Sequence, residues 1–69
     1  MEKQKQIRIF VRKQKQRIWK ENSKEKIDYL IMMWQGYITG LRLTNAIDYK
    51  EYRELFDEIK KFAEDIGAA

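Results

Sequence analysis

Apolar residues recur at steps of three and four along the C-terminal third of the chain, the spacing of one face of an α-helix. They are Tyr49, Tyr52, Leu55, Phe56, Ile59, Phe62, Ala63 and Ile66. Asp48 can cap this helix, Glu51 can complete a capping box, and Ile47 can pack on Tyr52. Gly67 supplies a stop signal. The pattern therefore predicts one amphipathic helix between Asp48 and Gly67.

A second helix is predicted to begin after Asn22 or Ser23, either of which can cap its first turn, and to run to about Leu43. This helix has two apolar sides. One side collects Ile27, Leu30, Ile31, Trp34, Ile38 and Leu41. The opposite side collects Tyr29, Met32, Met33, Gly36, Gly40 and Leu43. A helix that is apolar on two sides must be covered on both, either by its own chain or by a partner.

Gly36 and Gly40 lie one helical turn apart, so their missing side chains let another backbone approach closely. Two interpretations are open: close packing against another helix of the same chain, or a self-association face. Met32 and Met33 beside the glycines offer an adaptable contact surface, although methionines at this spacing also build ordinary cores. We expect a homodimer. The predicted protein-interaction residues are Met32, Met33, Trp34, Gly36, Tyr37 and Gly40.

The N-terminal segment fits two patterns. One helical face would be formed by Ile7, Phe10, Val11, Gln14 and Ile18. Ile7, Ile9 and Val11 also alternate as the residues of a strand do. We favour a helix over residues 5–12, because the flanking Gln, Lys, Arg and Glu are good helix formers and a lone strand would have nothing to pair with. Trp19 is expected to fold over the apolar stripe rather than to offer a stacking surface.

The fold class follows from these patterns and from the lack of turn residues, since the chain has no proline and three glycines. We expect a single all-α domain over residues 1–69, built as a small bundle of about three helices. Residues 1–21 form a basic N-terminal helix or arm. Residues 22–66 form an antiparallel helical hairpin that turns at residues 44–47.

Positive charge is concentrated at the N-terminal end. Residues 1–26 carry ten Lys or Arg against three Glu, whereas residues 27–69 carry five against eight Asp or Glu. Nucleic acid is the usual partner of such a basic segment, and a solvated helix face is the plainer alternative. DNA and RNA are both open as partners. The predicted nucleic-acid-binding residues are Arg8, Arg12, Lys13, Lys15, Arg17 and Lys20.

Catalytic chemistry finds little support in the composition. With no cysteine and no histidine, the chain lacks a thiolate nucleophile, a zinc-thiolate site and the commonest base and metal ligand. Ser23 is explained as a helix cap, and pairs such as Asp57 with Glu58 belong to an exposed helix face. We expect no enzyme activity, catalytic residue, metal or cofactor. We also expect a cytoplasmic protein without a membrane span, because its apolar runs are short.

Residues 41–55 resemble the short helix-turn-helix pieces of SHOCT-type domains and of many small proteins of phages and mobile elements. The resemblance lies in a leucine, a short turn, and then the capped start of a helix that contains Glu51 and Tyr52. It implies an oligomerisation or interaction piece. Ala46 stands where that pattern usually has glycine, and no functional residue is carried over.

Together these features predict a noncatalytic nucleic-acid-binding or accessory regulatory protein. Its basic N-terminal helix would contact phosphate, and its helical hairpin would mediate self-association. The alternative is a small protein-binding inhibitor or adaptor, of phage or mobile-element type, that acts on a larger host enzyme or nucleoprotein complex. The first would bind polynucleotide alone with a steep loss of affinity in salt, whereas the second would need its protein target.

Overall fold

The computed structural model describes residues 2–67 and shows three helices there, α1 (Glu2–Lys20), α2 (Lys24–Leu43) and α3 (Tyr49–Asp65). The predicted small all-α bundle is confirmed. Residues 5–12 lie within α1, so the helical interpretation of the N-terminal segment is also confirmed. The predicted ends of the domain, residues 1 and 69, lie outside the described residues.

The helices lie side by side and run up, down and up. The described residues measure 34 × 20 × 17 Å, and the longest dimension matches a helix of about 20 residues at about 1.5 Å each. Phe10 stacks on Tyr37, while Gln14, further along α1, bonds to Leu30, which lies earlier in α2. α1 and α2 are therefore antiparallel.

α3 runs antiparallel to α2 and parallel to α1. Gln4 donates a hydrogen bond to Glu51, and further along both helices Lys15 pairs with Glu58. The backbone of α2 lies close to both α1 and α3, whereas α1 and α3 meet through longer side chains. α2 is therefore the central helix of the bundle, with α1 on one flank and α3 on the other.

One hydrophobic core joins all three helices and the loop between α2 and α3. Its buried residues are Ile7, Val11, Ile18, Trp34, Ile38, Ile47, Ile59, Phe62 and Ala63. α1 contributes three of them at steps of four and seven, so it is a core element of the bundle and not a projecting arm. Gln14 lies on the same face and is 2% exposed.

The loops follow the predicted local chemistry. Asp48 accepts a hydrogen bond from the backbone N–H of Glu51 at 2.8 Å, so the cap of α3 is confirmed. The side chain of Glu51 accepts from Gln4 rather than closing the capping box. The hairpin turn passes through Asn45, whose φ of 61° lies in the left-handed region that asparagine tolerates well. Gly67, with a φ of 75°, follows the end of α3.

Candidate nucleic-acid interface and the outer face of α2

The fold divides the predicted nucleic-acid-binding residues between two sides of α1. The buried stripe holds α1 against α2 and α3, and at about 100° per residue the remaining positions point either toward α3 or away from the bundle. Arg8 and Lys15 point toward α3. Lys13, Arg17 and Lys20 point away from it, and Arg12 lies at the boundary, where it belongs to the outer side and also lines the groove beside α3. The six predicted cations therefore do not form one surface.

The side of α1 that faces α3 is electrostatically mixed. A groove of about 440 Å³ lies between the two helices. Its charged lining residues are Arg8, Arg12 and Lys15 from α1 and Glu51, Glu54 and Glu58 from α3. Lys15 forms an ion pair with Glu58 at 2.8 Å. Both partners are partly exposed, so the pair stabilises the fold by at most about 1 kcal/mol. The carboxylates offset the positive charge that an anionic ligand would meet here.

The opposite side of α1 is uniformly basic among its charged residues. The outer face of α1 consists of Lys5, Ile9, Arg12, Lys13, Gln16, Arg17 and Lys20, all of them exposed. No acidic residue occurs between Lys3 and Lys20 in the sequence. Lys5 was missed as a site residue, although it precedes Arg12 by two helical turns and the helical periodicity places both on this face.

Trp19 does not complete the core. Its side chain is 67% exposed, and it meets Phe62 in an edge-to-face arrangement with ring centroids 5.9 Å apart. The Lys15 ammonium also lies near the Phe62 ring, at 5.7 Å from its centroid. The expectation that Trp19 folds over the apolar stripe is wrong, because Phe62 already occupies the space between α1 and α3 and leaves only a marginal contact for the indole.

Of the predicted protein-interaction residues, Trp34 belongs to the interior and Tyr37 is partly buried. Trp34 is 0% exposed and packs against Phe62, so it is not available to a partner of the folded chain. Its indole N–H has no hydrogen-bond partner among the described residues. Tyr37 stacks on Phe10 with ring centroids 3.9 Å apart and fills the contact between α1 and α2. The prediction is wrong for Trp34, because the bundle encloses it, and it stays a prediction for Tyr37, which is partly covered by α1.

The other four predicted interaction residues share an uncovered side of α2. This outer face of α2 consists of Tyr29, Met32, Met33, Gly36, Gly40 and Leu43. A Cβ atom placed on Gly36 or on Gly40 would have no heavy atom within 4 Å beyond its own helix surroundings. The interpretation in which the glycines serve close packing within the chain is therefore wrong. Tyr29 and Leu43, which were not among the predicted interaction residues, lie on the same face and are exposed, as the helical spacing had grouped them with the glycines.

Among residues 2–67, no three Asp or Glu side chains are placed so that they could hold a metal ion together. None of the three helices is long and apolar enough to cross a membrane. A second groove, of about 320 Å³ between α2 and α3, is lined by Met32, Ile59 and Ala63 with Asp28, Lys60 and Glu64 at its edges.

Comparison of the chain with protein-family profiles, curated proteins and solved structures returns no match. The resemblance of residues 41–55 to SHOCT-type pieces stays a prediction. The hairpin geometry behind it is present in the structure, where α2 and α3 pack closely around the turn at residues 44–47.

Proposed function

We propose that this protein is a noncatalytic, cytoplasmic nucleic-acid-binding accessory protein. The outer face of α1 contacts phosphate groups, and the hairpin of α2 and α3 provides self-association. The observation that supports this proposal is the segregation of charge on α1. Five exposed Lys or Arg share the outer face with no carboxylate between Lys3 and Lys20, while the carboxylates of α3 line the groove on the other side, which only Arg12 of the five also lines.

The outer face of α1 has the dimensions and donors for a phosphate backbone. From Lys5 to Lys20 it spans on the order of 22 Å, about two thirds of a turn of B-form DNA. Lys13 and Arg17 lie one helical turn apart, and Gln16 beside them can donate to phosphate oxygens or base edges. Such contacts position a protein on a polynucleotide, and the slope of the binding constant against salt concentration gives their number.

The test is fluorescence anisotropy with labelled single- and double-stranded DNA and RNA, titrated at about 50 and about 200 mM salt. The test variant combines Lys13→Gln, Arg17→Gln and Lys20→Gln. The matched control combines Lys50→Gln, Arg53→Gln and Lys60→Gln on α3. Each triple variant removes two lysines and one arginine from exposed positions and lowers the formal net charge from +4 by three.

We expect the wild-type chain to bind at low salt and to lose affinity steeply as salt rises. The α1 variant should lose about tenfold or more in affinity, and its salt slope should flatten by about 0.9 for each duplex phosphate contact removed. The α3 variant should change much less. Equal losses in the two variants would show that only net charge matters. No binding at the lower salt concentration would refute the proposal.

A second candidate function is a protein-binding inhibitor or adaptor that acts on a larger enzyme or nucleoprotein complex. The observation that favours it is the uncharged outer face of α2, with Met32 65% exposed and Leu43 77% exposed. Large exposed apolar patches mark interaction sites. This candidate predicts no affinity for polynucleotide alone, and a Met32→Glu substitution would abolish target binding while the outer face of α1 could be neutralised without effect.

A further inference from the structure

The outer face of α2 carries no charged residue between Tyr29 and Leu43. It extends from Tyr29 to Leu43, and its two glycines lie between bulky apolar residues with open space above them. No other helix of the described chain covers this face, because α1 and α3 lie on the flanks of α2 and behind it. A helix that leaves so much apolar surface uncovered is suited to packing against another helix.

Four positions on this face form two pairs that are symmetric about Gly36, whereas Met33 has Thr39, outside the face, as its counterpart. Tyr29 and Leu43 lie seven residues before and after it, and Met32 and Gly40 lie four residues before and after it. Two copies of α2 that run antiparallel and cross at Gly36 therefore bring Tyr29 level with the partner's Leu43. They bring Met32 level with the partner's Gly40, so a bulky side chain meets an open position twice in each interface.

We propose that a second copy of this chain occupies the outer face of α2, in an antiparallel two-fold pair centred on Gly36. The inference rests on the self-association in the proposed function and specifies its geometry. A parallel pair fits the side chains less well. It would set Met32 against the partner's Met32 on one side of the glycines and Leu43 against the partner's Leu43 on the other, which holds the backbones apart where the glycines could let them approach.

The exposed area suits a modest dimer. Large apolar and aromatic side chains have areas of about 150–250 Å², so the exposed parts of this face amount to on the order of 500 Å² in each copy. Two copies would bury on the order of 1,000 Å², the lower limit for a specific interface. The absence of charge on the face means that neither copy brings a like charge into the contact.

The antiparallel geometry has a consequence for the outer face of α1. A two-fold axis that relates two antiparallel helices leaves both α1 helices on the same side of the pair, whereas a parallel pair would put them on opposite sides. The two α1 axes are separated by about three interaxial distances of 8–10 Å each, so they lie on the order of 25 Å apart. This exceeds the Debye length of about 8 Å at physiological salt, so their mutual repulsion is largely screened.

Single cysteines test the geometry, because the natural chain has none. In the proposed pair the two copies of residue 36 meet at the crossing, with Cα atoms on the order of 4–5 Å apart, within reach of a disulfide. The two copies of residue 40 are displaced along the axes by about 12 Å, which is beyond that reach. Neither site has neighbouring atoms that a new side chain would displace.

Under mild oxidation we expect Gly36→Cys to form a disulfide-linked dimer and Gly40→Cys to form no disulfide between copies, with circular dichroism showing that both variants are folded. Cross-linking of both variants would indicate a parallel pair and overturn the proposal. Cross-linking of neither would also overturn it. Sedimentation equilibrium provides a second measurement: wild-type chain that is entirely an 8.5 kDa species at tens of micromolar would refute the dimer.

Met32→Glu separates the two proposals, since it places a charge in the α2 contact and leaves α1 unchanged. We expect this variant to sediment as a monomer. If wild-type chain forms the residue 36 cross-link but binds no polynucleotide, the nucleic-acid function fails and the dimer stands. If wild-type chain is monomeric and still binds polynucleotide through the outer face of α1, the dimer fails and the phosphate contact stands.

Discussion

Replacing the glycines of α2 by alanine should stabilise the fold. A glycine in a helix interior costs about 0.5–1 kcal/mol relative to alanine, chiefly because its backbone loses more freedom on folding. Gly36 and Gly40 both lie inside α2, and a methyl group at either position would have no heavy atom within 4 Å beyond its own helix surroundings. No steric cost therefore offsets the gain.

We expect Gly36→Ala and Gly40→Ala each to raise the free energy of unfolding by about 0.5–1 kcal/mol, and the double variant by about 1–2 kcal/mol. For a domain of this size each kcal/mol raises the melting temperature by about 4–8 °C, so the pair should gain roughly 10 °C. Urea and thermal unfolding followed by far-ultraviolet circular dichroism measure this. The protein must be dilute enough to be monomeric, since dimerisation would add its own stability.

Gly67→Ala is the matched control. It is the same substitution with the same open surroundings, but Gly67 has a φ of 75°. A side chain in the left-handed region is strained by about 1–2 kcal/mol, so this variant should lose stability or, if the C-terminal turn frays, stay unchanged. Destabilisation by Gly36→Ala or Gly40→Ala would refute the reasoning, because it would mean that the glycines are packed against their own chain.

Five further substitutions, at four positions, test the core, the outer face of α2 and the cap of α3 by urea unfolding. Gln14→Met keeps the volume of the buried side chain and should change the free energy of unfolding by less than about 1.5 kcal/mol. Gln14→Glu buries an unpaired charge and should lower it by about 3 kcal/mol or more. Equal losses in the two variants would contradict the burial of residue 14. Ile38→Ala should cost about 2–5 kcal/mol. Leu43→Ala, at an exposed site, should stay within about 0.5 kcal/mol in the monomer, and a loss as large as that of Ile38→Ala would show that the outer face of α2 is covered. Asp48→Ala removes the cap of α3 and should cost about 1 kcal/mol; no loss would mean that water replaces the cap.

The parts of the fold that could be predicted are those set by nearby residues. The cap at Asp48, the stop at Gly67 and the length of α2 each depend on residues within one or two helical turns, and the sequence shows those residues directly. The three-residue and four-residue spacing of α3 likewise reports which of its sides is buried, because only one of its sides is apolar.

The covered side of α2 could not be predicted, because both sides are apolar and the choice depends on where α1 and α3 lie. Trp34 and Met32 look equally suited to a core when α2 is considered alone. The neighbouring helices bury the first and leave the second exposed. The same applies to α1: the periodicity separates its buried stripe from its charges, but only the position of α3 shows that Arg8 and Lys15 face carboxylates.

The two tryptophans of this chain sit in opposite surroundings, and this gives the protein two built-in optical probes. Trp34 is enclosed by apolar side chains and its N–H has no partner among the described residues, so its fluorescence should be blue-shifted and inaccessible to quenchers until the bundle unfolds. Trp19 is largely open to water where α1 meets α3, and it contacts the edge of Phe62. A neutral quencher in the solvent, such as acrylamide, should therefore quench Trp19 selectively in the folded protein. The fraction of the emission that can be quenched then reports on changes where α1 meets α3, while the remaining emission reports on the packing of the core.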